Sequence, residues 1–206
     1  MPKTIVEIAK QELTFENVLA KAMNMPTVKI NRATFLRKEL KKYVPDDVIT
    51  EAIRINPAKA GISKNLINKI SMTVINYETA KVAALSIAAS IPSSGIPAAA
   101  IGATAVDITS YFASALRIVQ ELAYLYGFEQ FDLSEDNIDS ETLNFLLIFL
   151  GAMFGVKEAT LTLKTMANTL APLVAKKVSQ QYLTKGTIYP IIKRNASSFI
   201  ESTVLV

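Results

Sequence analysis

The feature that most constrains this chain is a run of 25 residues, 82–106, without a charged side chain. Apolar residues lead into it at three- and four-residue steps, the spacing of a helix with one apolar side: Leu66, Ile67, Ile70, Val74, Tyr77, Ala84, Leu85 and Ala88. The segment IPSSGIP at 91–97 then breaks the helix and reverses the chain. The sequence therefore predicts a long apolar helical hairpin over residues 64–127, with arms of about 40 Å.

Cap and stop residues divide the rest of the chain into further helices. Thr14, Asn31 and Ser63 stand where N-cap side chains are expected, and Gly127 stands where the second hairpin arm should end. Helices are predicted over 3–11, 15–24, 31–44, 45–55, 141–155, 157–184 and 187–203. No segment alternates long enough to predict a sheet. The predicted fold class is all-α, a single-domain multi-helix bundle over residues 1–206 around the hairpin.

Neither apolar segment predicts a simple membrane span. Prolines interrupt the run at 82–106, and the uncharged run at 142–156 is shorter than the roughly 20 residues that a spanning helix needs. Gly151 and Gly155 have the spacing that permits close helix contact, in membranes or in a soluble bundle. A buried core hairpin is expected, and peripheral attachment to a membrane stays open.

Missing residue types exclude whole classes of chemistry. The chain has no cysteine and no histidine, which removes disulfides, zinc–thiolate sites, serine triads and histidine-based metal centres. The acidic segment 132–143 begins like a calcium loop, but Leu143 stands where the bidentate glutamate belongs. The sequence predicts no catalytic residue, no metal and no cofactor, and it favours a protein that is not an enzyme.

Charge is divided along the chain. Residues 1–81 carry 14 basic and 8 acidic residues (+6), residues 82–156 carry 1 and 8 (−7), and residues 157–206 carry 7 and 2 (+5). This arrangement could orient the protein on an anionic membrane surface, although the acidic and basic parts could simply pair or face solvent. The charged N-terminal segment lacks an apolar stretch of signal-peptide length, so the predicted location is cytoplasmic, extending to the inner membrane face.

Two sets of side chains are candidate binding sites. The first is a polar groove on the second arm of the hairpin, for a headgroup, a cation or a partner side chain: Asp107, Ser110, Ser114, Arg117, Glu121 and Tyr124. Its alternative is a polar stripe that faces solvent or another helix. Catalysis there would need a second acid near Asp107, and Glu78 and Glu158 are the candidates.

The second candidate is a basic surface on the predicted third helix, formed by Arg32, Arg37, Lys38, Lys41 and Lys42. It could contact lipid phosphates, and its alternative is a solvated helix face. Only Tyr43 is a nearby aromatic residue, and no nucleic-acid motif or phosphate-binding glycine loop occurs, so nucleic acid is not a predicted partner.

Six segments in a fixed order resemble the bacterial EcsC family. They are INRATFLRKEL at 30–40, NPAKAGI at 56–62, the hairpin turn and second arm up to Asp107, LAYLYG at 122–127, FLGAMFGV at 149–156 and TIYPIIK at 187–193. The resemblance implies an α-helical, membrane-associated bacterial protein, encoded in some genomes beside the Ecs ABC transporter, and it supplies no active site.

The chain departs from the family in two places. Ser93-Ser94-Gly95 stands where relatives often have a Gly-Gly pair, and relatives usually continue beyond the TIYP segment into another apolar hairpin. The chain therefore resembles a member shortened at its C-terminus. Uncovered apolar surface would favour a homo-oligomer, a protein partner or a membrane surface.

Three functions follow as hypotheses. The first is a non-enzymatic helical interaction protein, peripheral to the inner face of the bacterial membrane. The second is a lipid or hydrophobic-ligand binding module, in which the hairpin and the helix at 141–155 enclose a pocket with Asp107 and Arg117 near its mouth. The third is a carboxylate-based hydrolase centred on Asp107.

Overall fold

The computed structural model describes residues 14–89, 97–131, 133, 140–153, 155–169, 193–194 and 197–198. Within them the chain forms helices and no β-strand, which confirms the all-α prediction. The elements are α1 Phe15–Met23, a 3-10 turn Pro26–Val28, α2 Arg32–Leu40, α3 Asp46–Arg54, α4 Lys64–Ala89, α5 Pro97–Leu125, α6 Ser140–Met153 and α7 Lys157–Thr169. The predicted helices at 3–11 and 187–203, the turn at 90–96 and most of the acidic segment lie outside the described residues, apart from four positions of the last helix.

The helix starts follow the predicted capping residues. Thr14, Asn31 and Ser63 each accept a hydrogen bond from the backbone N–H three residues later, at 3.4, 2.9 and 3.3 Å. Each side chain thus satisfies one of the N–H groups that a first helical turn leaves without an intrahelical partner. Local side-chain chemistry accounts for these helix starts.

Two glycines end helices in the left-handed conformation. Gly127 has φ +96° just after α5, and a Cβ there would lie 3.0 Å from the Cβ of Asn56, so both backbone and packing favour glycine. Gly155 has φ +75° after α6, where the N–H of Val156 bonds the carbonyl of Gly151 at 2.9 Å. The predicted helix-contact role is therefore wrong for Gly155, which lies in the turn that ends α6.

The central helix of the bundle is α5, which packs against α1, α2, α4 and α6. Its buried apolar residues meet those of α4 and of the shorter helices, as predicted for a core hairpin. The most completely buried large side chains are Tyr124, Phe15, Phe112, Leu36, Leu40, Ile49, Ile70, Ile108, Leu116, Leu125, Leu146 and Ile148.

The apolar pattern of α4 changes register after Val74. Ile67, Ile70 and Val74 are buried as expected, but Tyr77 is 64% exposed. The next residue, Glu78, is 1% exposed and takes the inward position. A step of four residues from Val74 leads to Glu78, whereas a step of three leads to Tyr77, and both keep helical spacing. The placement of Tyr77 on the apolar side of the arm is therefore wrong.

Among the described helices, none combines the length and the hydropathy of a membrane span on its own. The pair formed by Thr142–Met153 and Lys157–Lys164 meets that test by length and composition, with a bend of 119° between its halves.

Candidate functional site

A buried ion cluster joins the two arms of the hairpin. The Arg117 guanidinium on α5 places Nε 3.0 Å from Oε1 of Glu78 on α4 and Nη2 3.1 Å from Oε1 of Glu121 one turn further along. Its Nη1 donates to the backbone carbonyl of Thr27 in the 3-10 turn. Lys81 adds a second cation, with Nζ 3.2 Å from Oε2 of Glu78. The cluster therefore fixes three separate elements to one another.

Negative charge exceeds positive charge in the buried part of this cluster. The side chains of Glu78 and Glu121 are 1% and 8% exposed and share one guanidinium. Lys81 is 39% exposed, so water screens much of its charge. The pKa of Glu121 is raised to about 7, chiefly by burial; Arg117 and Lys38 act to lower it, and Glu78 and Glu39 act to raise it. Burial and the shared guanidinium therefore favour the neutral form of Glu121.

A second polar network holds the irregular segment between the 3-10 turn and α2. Gln120 on α5 donates to the carbonyl of Val28 at 2.7 Å and accepts from the N–H of Ile30 at 3.4 Å. The fully buried Tyr124 hydroxyl donates to the carbonyl of Ile30 and accepts from the amide of Gln130 at 3.1 Å. Burial raises the pKa of Tyr124 to about 12, so the phenol stays neutral. These side chains satisfy backbone groups that no helix or sheet pairs.

The described part of the predicted groove is filled by protein. Arg117 and Glu121 share one side of α5, as predicted, but Ser114, Glu121 and Tyr124 are buried and Ser110 is half-buried. The side chain of Asp107 lies outside the described residues. Every buried polar side-chain atom in the described part of the chain has a hydrogen-bond partner, so no orphaned group there marks a ligand.

Sequence reasoning considered Glu78 only as a second acid for Asp107 and missed its ion pair. Glu78 and Arg117 lie 39 residues apart, so no helical spacing relates them. The available signal was the four-residue step from Val74, which extends the buried side of α4 to Glu78. Glu158, the other candidate acid, is exposed on α7. In the described residues, no group of three or more acidic side chains could hold a metal ion.

The basic surface keeps four of its five predicted members. Arg37, Lys38, Lys41 and Lys42 are exposed. Arg32 is half-buried and donates to three carbonyls, those of Ile53 at 2.6 Å, Ala52 at 3.3 Å and Phe128 at 2.9 Å. Two of these carbonyls belong to the last turn of α3, where a cation is favourable. Arg32 therefore joins α2 to its neighbours, and the other four residues form the basic surface.

Exposed apolar side chains gather around α4. We define the outer α4 face as Tyr43, Lys69, Met72, Tyr77 and Tyr126. Lys69 Nζ lies 5.4 Å from the ring centroid of Tyr43, a cation–π contact that links α4 to the end of the basic surface. The Tyr126 hydroxyl donates to Asn68 on α4 at 2.8 Å. Met72 and Tyr77 are 56% and 64% exposed.

A cavity of about 430 Å³ opens beside the start of α2. Its lining residues are Asn31, Arg32, Ala33, Arg54, Ile55, Glu129 and Gln130. Three of them, Arg32, Arg54 and Glu129, carry a charge, and an acyl chain would have to take water away from these groups without pairing them. This cavity therefore does not favour the hypothesis of a hydrophobic-ligand module.

Comparison with family models, curated proteins and solved structures found no match to this chain. The resemblance to the EcsC family therefore stays a prediction, and function has to be argued from the arrangement of the residues themselves.

Proposed function

We propose that the protein is a non-enzymatic interaction protein that attaches peripherally to an anionic membrane surface through the outer α4 face and the adjoining basic surface. The observation that carries the proposal is the exposure of Met72, Tyr77, Tyr43 and Tyr126 on or against one helix, beside exposed lysines. The inner face of a bacterial membrane is the setting that the EcsC resemblance implies.

The composition of the outer α4 face suits a lipid–water boundary. Tyrosine has an apolar ring and a polar hydroxyl, and this combination is enriched at membrane interfaces. Lysine can bury its methylene stem and keep its ammonium group at the phosphates. On α4, Met72 lies one turn from Lys69 on the same side of the helix, and Tyr77, eight residues beyond Lys69, lies about 80° from it on the other flank of the exposed surface.

Charge favours an anionic occupant over a neutral one. From residue 56 to residue 77 the chain carries three lysines and no acidic residue. The basic surface adds four exposed cations on α2 and just beyond it, and the nearby Glu39 is held by Lys38 at 3.0 Å. Each lysine or arginine near an anionic leaflet contributes about 1 kcal/mol to attachment. Several such contacts, with two or three inserted apolar side chains, give reversible binding without a spanning helix.

Flotation of the full chain with lipid vesicles tests the proposal. We expect recovery with vesicles of phosphatidylglycerol and phosphatidylcholine, weakened by salt, and little recovery with phosphatidylcholine alone. Met72→Ser with Tyr77→Ser, and separately Lys41→Glu with Lys42→Glu, should each weaken partition about tenfold or more.

Matched controls lie on α6 and α7. Met153 and Leu161 are about as exposed as Met72 and Tyr77, and Lys157 and Lys164 are exposed lysines. Serine at the first pair, or glutamate at the second, should leave partition within about twofold. Equal loss in test and control variants would contradict the proposal. So would a dimer that fails to float and dissociates on Met72→Ser with Tyr77→Ser, which would identify a second copy of the chain as the occupant.

A further inference from the structure

We propose that Glu121 is a proton-binding site that regulates this attachment, and that its protonation strengthens the attachment to anionic lipid. The inference rests on the proposed function for its consequence, whereas the proton site itself rests on the geometry of the ion cluster. Glu121 is buried, interacts electrostatically with Lys38 of the basic surface, and shares the guanidinium of Arg117 with Glu78.

The geometry of the ion cluster favours the uptake of one proton by its two buried carboxylates. Arg117 makes one contact to each carboxylate and one to the carbonyl of Thr27, so its single positive charge faces two buried acids. The interior disfavours an uncompensated carboxylate, and such a group neutralises rather than stay charged. Glu78 has the additional cation Lys81, whereas Glu121 has none beyond Arg117 and the more distant Lys38. Glu121 is therefore the member that takes up the proton.

Charged groups from three helices act on Glu121. Arg117 lies on its own helix, Glu78 on α4, and Lys38 and Glu39 on α2, and their combined effect with burial sets its pKa at about 7. The chain contains no histidine and no cysteine. Ordinary carboxyl groups titrate below pH 5 and lysines above pH 10. Burial and these neighbours thus give Glu121 a reason to change charge between pH 6 and pH 8.

The basic surface senses this proton through Lys38. Lys38 is an exposed member of that surface and interacts electrostatically with both Glu121 and Tyr77. An ionised Glu121 offsets part of the positive potential of α2, and a neutral Glu121 restores it. Because burial and the Arg117 contact weaken the effect of one charge, we expect about threefold stronger partition into anionic vesicles at pH 6 than at pH 8.

Two measurements on the full chain test the inference. In the first, carbon-13 NMR of glutamate side-chain carboxyls follows titration, and the resonance absent from Glu121→Gln should show a midpoint near pH 7. In the second, flotation with phosphatidylglycerol vesicles is compared at pH 6 and pH 8 at constant ionic strength, because a phosphodiester keeps its charge over this range. Glu121→Gln should bind at both pH values as the wild type does at pH 6. Glu158→Gln, an exposed glutamate on α7, should keep the wild-type pH response.

The outcomes separate this inference from the proposed function. A Glu121 midpoint below pH 5.5 overturns the proton site whatever the vesicles show. Flotation that is equal at both pH values, or that keeps its pH dependence in Glu121→Gln, overturns the regulation and leaves the membrane proposal standing. Absence of flotation at both pH values overturns the membrane proposal and the regulation together, while a midpoint near pH 7 would still support the proton site.

Discussion

Tyr77 and Glu78 are neighbours on α4 with opposite environments. The aromatic side chain is 64% exposed on the outer α4 face, and the carboxylate is 1% exposed against Arg117. Hydrophobicity alone would place the two the other way round. The inner side of α4 therefore carries a charge that is held by the fold, and the outer side carries apolar area that nothing in the described residues covers.

The contrast between Tyr77 and Glu78 shows that burial on α4 depends on helical geometry and on ion pairing, and not on hydrophobicity alone. Glu78 continues the inward row of Ile70 and Val74 at steps of four residues, so an acid at that position has to be buried. Arg117 and Lys81 make this burial tolerable by supplying two opposite charges. Tyr77 lies outside this row, and its ring is exposed.

Arg117→Ala should have the largest effect on stability, because it removes the cation that the buried inner side of α4 depends on. The change leaves two buried carboxylates without their shared guanidinium and frees the carbonyl of Thr27. Removal of one partner from a buried ion pair costs about 3–5 kcal/mol. Chemical denaturation should show a loss of that size.

The control for Arg117→Ala is Glu51→Ala on α3. Glu51 bonds Arg54 at 2.6 Å, but both side chains are well exposed. Surface ion pairs contribute about 0–1 kcal/mol, so this variant should remain close to wild type. If Arg117→Ala cost no more than Glu51→Ala, burial of the cluster would be refuted.

Stability should fall as pH rises from 5 to 8. Burial on folding raises the pKa of Glu121 to about 7 from its ordinary value of 4.5, so the folded state holds a proton that the unfolded state releases. The stabilisation is therefore full below about pH 4.5, decreases through the window and levels off above pH 7. We expect a decrease of about 2 kcal/mol between pH 5 and pH 8, measured by denaturation at each pH.

Glu121→Gln should stabilise the protein, whereas Arg117→Ala should destabilise it. Its neutral amide oxygen can still accept from Arg117, and it has no charge to bury. At pH 8 this variant should be about 2 kcal/mol more stable than wild type, and its stability should be flat across the window. A wild type that is equally stable at pH 5 and pH 8 would show that Glu121 is already ionised at pH 5.

Tyr124→Phe tests the contribution of buried hydrogen bonds that involve no charged side chain. The buried hydroxyl accepts from the N–H of Phe131 at 3.2 Å and donates to the carbonyl of Ile30 at 3.4 Å. Loss of these bonds leaves buried backbone groups with fewer partners, at a cost of about 1–2 kcal/mol. Tyr126→Phe, which removes an exposed hydroxyl bonded to Asn68 at 2.8 Å, is the comparison variant. A Tyr124→Phe protein as stable as wild type would mean that water replaces the hydroxyl.

Local rules allowed much of the fold to be predicted from the sequence. The caps at Thr14, Asn31 and Ser63 and the stop at Gly127 depend on neighbours within a few residues, and all four are where the sequence placed them. The alignment of Arg117 with Glu121 follows from their four-residue spacing. Interactions of this kind depend on residues a few positions apart, so a short segment of sequence is enough to predict them.

The polar cluster could not be predicted to the same degree, because its contacts are distant in sequence. Glu78 meets Arg117 across 39 residues, and Arg32 meets Phe128 across 96. Arg32 was predicted to be a surface cation, because the residues close to it in sequence do not indicate the carbonyls of α3 that it binds. Gly155 was misplaced for a related reason: its spacing from Gly151 fits both a helix contact and a helix end.

Met72→Ser combined with Tyr77→Ser should have the smallest effect on stability, because it changes the outer side alone. Exposed substitutions usually alter the free energy of unfolding by no more than about 0.5 kcal/mol. The double variant should therefore unfold within about 1 kcal/mol of wild type while it loses its hold on anionic vesicles. Denaturation of the full chain gives the first quantity and flotation the second. A loss of several kcal/mol would mean that other parts of the chain cover these side chains, and the outer α4 face would then belong to the core.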